Sequence, residues 1–207
     1  MNPKGLLLYL AMGLLLAAAA AQGGEKYGVD PIHSEIGFSV RHFGVSNVRG
    51  VFKEYTIDLV VDEEDPTRST VELIIDADSI STDHEQRDNH LRSADFLDVE
   101  NHPEIVFKSK RLEHRGGEEY VAVGDLTIRG VTREIDLPFT LAGPLLDPLK
   151  MKRLGVEGGL TLDRHDYGVS WSRVMDNGGL FVGDDVKISI SIEAARSTDE
   201  APVTGQD

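Results

Sequence analysis

The sequence predicts an all-β domain, a sandwich or barrel of about eight or nine short strands. Three observations carry that expectation. Apolar and polar residues alternate with period two in segment after segment, the pattern of a strand with one dry and one wet face. Clusters of turn-forming residues separate those segments. Helix-compatible sequence, finally, is confined to one stretch. Of 207 residues 40% are hydrophobic, enough for a real core, and neither a repeat nor an interior linker marks a second domain.

Taken in order, the chain opens with Lys4 and an unbroken apolar run from Leu6 to Ala21, closed by alanines before Gln22. That is the layout of a signal peptide over 1–21, and the run is shorter than the roughly twenty residues of a spanning helix. Export as a soluble protein is expected. Ile36, Phe38 and Val40 then share one strand face, and His42 continues the row toward the interior. "VRGVF" (48–52) reads as turn chemistry around its glycine. Tyr55, Ile57, Leu59 and Val61 form the next dry face, and "EEDPTRS" (63–69) a turn before Val71, Leu73 and Ile75. A short helix is predicted near residues 82–94, with Thr82 and Glu85 as a capping box and Leu91, Ala94 and Leu97 as its buried edge. Short strands follow at 104–110 and 119–129, with turns at "HRGGEE" (114–119) and "RGVT" (129–132). Ile135, Leu137, Phe139 and Leu141 alternate cleanly before a turn at "GPLLDP" (143–148). A further strand is expected within 156–172, a turn at "DNGG" (176–179), and a long strand carrying Val186, Ile188, Ile190 and Ile192. The domain therefore spans 22–195, and the polar, aperiodic 196–207 reads as a disordered tail.

Several chemistries find no support. The chain has no cysteine, so thiol nucleophiles, iron–sulfur clusters and thiolate zinc sites are excluded. A formal charge of −15, spread along the chain, repels nucleic acid, and the few aromatics are not interleaved with basic residues. There is neither G-x-S-x-G nor H-E-x-x-H. His84 and His90, six apart, point away from each other on a helix, whereas His84 and Asp88 could share a face. No metal or other cofactor is expected.

Four blocks in sequence order nevertheless stand out. They are "DPIHSEIGFSVRHFGVSNVRGVF" (30–52), "HLRSADFLDVENHPEIVF" (90–107), "GDLTIRGVTREIDLPF" (124–139), and "LDRHDYGV" (162–169) with "GGLFVGDDVKISISIEA" (178–194). The second carries His90, Leu91, Ser93, Asp95, Phe96, Asp98, Pro103, Ile105 and Phe107 in an H-L-x-S-x-D-F-x-D…P-x-I-x-F pattern. Together they resemble the YceI-like family of bacterial polyisoprenoid-binding proteins over residues 26–195. The resemblance implies an elongated antiparallel lipocalin-like β-barrel, a periplasmic location, and a long isoprenoid (a quinone or a prenyl phosphate) or similar lipid held inside. Such proteins are carriers or stores rather than enzymes and are often dimers, so a homodimer is among the expected assemblies. One departure lies at Leu149 and Lys150, where relatives often carry Trp-Gly.

On that resemblance, the inward residues Phe38, Val40, Phe52, Tyr55, Ile57, Phe107, Phe139 and Ile188 are the candidate tail-binding wall, with Phe96 facing inward beside them. His42, Arg41, His90 and Arg92 are the candidate rim for a polar head. Two other readings stay open at this point: an enzyme using His42 or His90 as general base, and a barrel filled by its own side chains.

Overall fold

The computed structural model of the chain describes residues 24–173 and 180–197. Eleven strands form one antiparallel sheet: β1 (Glu25–Val29), β2 (Glu35–His42), β3 (Ser46–Phe52), β4 (Tyr55–Val61), β5 (Thr70–Asp76), β6 (Ile80–Ser81), β7 (Glu104–Gly116), β8 (Glu119–Ile128), β9 (Val131–Leu146), β10 (Met151–Asp163) and β11 (Val182–Ser197). Among the described residues the single α-helix is α1 (Glu85–Arg92). Around the ring the order is β1, β4, β5, β7, β8, β9, β10, β11, and β11 returns to β1, which closes an eight-stranded barrel.

β1 and β2 behave as one bent strand. The far end of β11 pairs with β1 through Gly28↔Ala195 and Val29↔Ala194, while its earlier half pairs with β2 from Val186↔Val40 to Ser191↔Glu35. β2, β3 and β6 thus extend the wall at one end, and α1 packs beside β6 there. The opposite end is closed by the 62–69 loop. Asp62 organises that loop by accepting from the Glu64 and Asp65 amides and from Arg68 Nε at 2.7 Å.

The predicted alternation is realised as interior against exterior. On β9 the half-buried Ile135, Leu137, Phe139 and Leu141 alternate with exposed Asp136, Pro138 and Thr140. Ile75, Ile105, Phe107, Ala122, Leu126 and Ile192 form the buried centre of the barrel.

Four expectations need correction. "VRGVF" is strand β3, not a turn. Gly50 lies in it because the Phe38 ring rests where its Cβ would be, so the glycine serves a close approach. The strand placed within 156–172 starts at Met151 and stops at Asp163, whose side chain caps a 3₁₀ turn over Arg164–Tyr167. β9 continues through "GPLL", leaving the turn to 147–150. Arg196 and Ser197, read as the start of the tail, end β11, where Arg196 pairs with Glu25 and Glu63. Residues 1–23, 174–179 and 198–207, with the leader, the "DNGG" turn and most of the tail, lie outside the described residues.

Candidate functional site

An eight-stranded barrel has an interior just wide enough for side chains to fill or for one small ligand, depending on which inward residues meet across it. Two apolar cavities result, of about 270 Å³ at the helix end and about 110 Å³ at the 62–69 end, and Ile36 belongs to the wall of both. The wall passes from one to the other along the strands: from Ile75 to Leu73 and Val71 on β5, from Ile105 to Phe107 on β7, and from Ile188 to Ile190 and Ile192 on β11. The two cavities adjoin at Ile36 along the barrel interior.

Ten of the twelve residues expected at the site lie on this wall. Phe38, Val40, His42, Phe52, His90, Phe96 and Ile188 border the upper cavity, and Ile57, Phe107 and Phe139 the lower. Tyr55 does not reach it. It is the first residue of β4, opposite Ile75, where the barrel wall turns out of the β3–β4 connection. Burial first, and the Glu35 carboxylate second, push its phenol pKa up. Arg92 is also off the wall, because its guanidinium is spent on backbone: Nε donates to Asp78 O at 2.7 Å and Nη2 to Ile80 O at 2.9 Å, pinning α1 to the chain before it. The helix cap differs as well. His84 Nδ1 accepts from the Arg87 amide, whereas Thr82 gives its amide and hydroxyl to buried Asp88. His84 and Asp88 are thus linked through the backbone rather than side chain to side chain, and Ala94, expected on the buried edge, is exposed.

The mouth of the upper cavity is a chain of rings. His42 lies 5.2 Å from Phe181 and 3.9 Å from Phe43. Phe181 meets Trp171 at 6.1 Å, and Trp171 meets Phe96 at 5.3 Å and His90 at 5.1 Å. His90 Nε2 is 2.8 Å from Asp95 Oδ2. Beneath the rings lies Arg164, 5% exposed, whose guanidinium donates to Val169 O and Trp171 O at 2.8 Å, Gly183 O at 3.0 Å and Asp184 Oδ1 at 3.0 Å. It fastens residues 169–171, the lid segment that carries the Trp171 ring, to the start of β11. Arg87, also on the wall, is committed to Thr82. Among the wall residues, one fully buried side-chain polar atom has no partner among the described residues: the hydroxyl of Tyr167, a residue 2% exposed.

Arg164, Tyr167, Trp171 and Phe181 are missing from the expected site because the strand expected within 156–172 gives way at Asp163 to a 3₁₀ turn and a loop, where alternation no longer tells inside from outside. The signal the sequence did hold is that Arg164, Tyr167 and Phe181 fall within the fourth block. Elsewhere Asp30, His33 and Glu193 lie close enough to share a cation, but Arg153 already occupies that role, with Nη1 at 2.5 Å from Glu193 and 3.5 Å from Asp30.

Comparison with known proteins places this geometry. The YceI-like domain family matches residues 27–194. A UPF0312 protein of Serratia proteamaculans is 34% identical over 196 residues, covering 94% of this chain and 98% of its own. Burkholderia cenocepacia BcnA shares the fold at 21% identity with a TM-score of 0.70, over 80% of this chain and 98% of that one. A polyisoprenoid binding domain from Saccharophagus degradans, implicated in plant cell wall breakdown, shares it at 14% identity with a TM-score of 0.58, over 81% and 97%. This chain belongs to the YceI-like domain family.

Proposed function

We propose that this protein is exported to the periplasm and holds one long polyisoprenoid lipid, of quinone or prenyl phosphate type, inside its barrel as a carrier or store, without chemistry on it. The observation that carries this reading is the barrel interior: two apolar cavities in line, sharing Ile36, with rings at one end and a polar loop at the other. Each methylene moved from water into such a space contributes about 0.8 kcal/mol, so a long slender chain is favoured over a compact ligand. A solved domain of the same fold is described as polyisoprenoid binding, which supports the ligand class. Of the wall's ionisable groups, Arg164, Arg87 and His90 are already engaged in holding the lid, the helix and Asp95, which supports a binding role for them. Mass spectrometry of an organic extract of the natively purified protein tests the reading. A stoichiometric isoprenoid of unaltered mass supports it, and an extract that stays clean after detergent-free purification sinks it. Intact mass of the periplasmic protein tests export, with a chain beginning at Gln22 as the expected result.

A further inference from the structure

Arg164, Arg87 and His90 of the upper cavity are hydrogen-bonded, whereas the buried hydroxyl of Tyr167 is not. Its ring belongs to the buried cluster that includes Ile36, Ile75, Ile105 and Leu126, so it projects into the barrel rather than toward solvent. The residue borders the upper cavity, and its buried hydroxyl has no hydrogen-bond partner among the described residues. A phenylalanine would pack there without that cost, because a buried hydroxyl left unpaired forfeits its hydration and gains nothing. The fold also holds Tyr167 firmly: Asp163 caps the 3₁₀ turn before it, Gly168 closes the turn at φ 73°, and Arg129 donates to Gly168 O at 2.8 Å.

Resting on the proposed lipid function, we infer that the Tyr167 hydroxyl donates a hydrogen bond to a neutral oxygen of the bound lipid, a carbonyl or hydroxyl of its head. That contact seats the head in the upper cavity, beneath the ring lid, with the tail running past Ile36 into the lower one. The cations flanking Tyr167 are already paired: Arg164 serves three carbonyls and Asp184, and Arg133 serves the backbone oxygen and carboxylate of Asp166. A neutral oxygen therefore suits the place beside Tyr167, where an anion would be buried without a free counter-charge. A charged head would instead be drawn to Arg41, which borders the same cavity and has no ion pair among the described residues.

The test compares Tyr167→Phe with the wild type on three probes of one tail length: a prenylated benzoquinone, the matching prenylated benzene and the matching prenyl phosphate. Transfer from phosphatidylcholine vesicles to protein measures affinity. The expected result is a five- to tenfold loss for the quinone, about what one hydrogen bond is worth, and no change for the benzene. The lipid-free variant should melt at the same or a higher temperature. Equal losses on quinone and benzene, or no loss on either, overturn the role of Tyr167 while leaving lipid binding intact. A phosphate bound as tightly as the quinone overturns the preference for a neutral head. If the wild type takes up none of the three, the lipid reading itself fails.

Discussion

Glu63 sits at the barrel end away from α1, where Tyr27 Oη donates to it at 2.8 Å and Lys152 and Arg196 pair with it. Tyr27 is fully buried. Burial first, and then the bond to Glu63 and its charge, push the phenol from 10.0 up to about 12. The neutral form is thus favoured by folding, so its contribution is fully present below the unfolded value of 10.0 and is lost as pH rises through about 12. Urea midpoints taken from pH 7 to 11.5 should therefore fall steeply above pH 10, and Tyr27→Phe should flatten that fall while costing about 1 kcal/mol at neutral pH. An unchanged alkaline slope in the variant would remove Tyr27 as its cause. Arg164 governs the other end. Arg164→Met strands three backbone carbonyls and should cost about 3 kcal/mol, with a red shift of Trp171 emission as the lid loosens. A stability loss without that shift would separate Arg164 from the lid. At this scale parity was a good guide but not a sufficient one. It placed Ile57, Phe139 and Tyr55 on the wall alike, and the structure leaves Tyr55 short of it, because alternation tells inside from outside and not how far a position lies along the barrel.

At the scale of elements, period two made the long strands legible, and its failures are instructive. β3 was hidden because Gly50 gives the alternation no side chain to register, the space being taken by the ring of Phe38 from the neighbouring strand. Only the pairing Phe38↔Gly50 explains the residue, and a pairing is not a local property. The helix start was misassigned for a similar reason. Thr82 has the sequence of a cap, but Asp83 turns the chain at φ 57° and His84 takes the cap, freeing Thr82 to bind Asp88. What keeps α1 against the barrel is Arg92 on the carbonyls of Asp78 and Ile80. Arg92→Met should therefore raise amide exchange throughout 85–92 with little effect on the strands, since a tethered helix opens locally when its tether is lost. Slower lipid release from that variant, rather than faster, would contradict α1 as a wall of the upper cavity.

For the whole molecule, the sequence's four ordered blocks and its alternation together were enough for an eight-stranded barrel, but not for the space inside it. Whether inward side chains fill a barrel depends on how they meet across the axis, and that is settled by register and bulges such as the shift between Arg153 and Gly155. The depth of the interior is therefore the property most in need of a direct test. Ala122 on β8 is buried, borders the lower cavity and faces Leu112 and Leu137 on the flanking strands. Ala122→Leu places a larger side chain into a void of about 110 Å³. Because that void exists already, the substitution should change stability by less than about 1.5 kcal/mol. If the proposed tail runs from the upper cavity past Ile36, affinity across a series of prenyl chains should rise with length in both proteins. It should then level off earlier in the variant, by one or two isoprene units, while the shortest chains bind equally to both. Coincident plateaus would mean that the lipid stops above Ile36, leaving the lower cavity as packing space rather than part of the site.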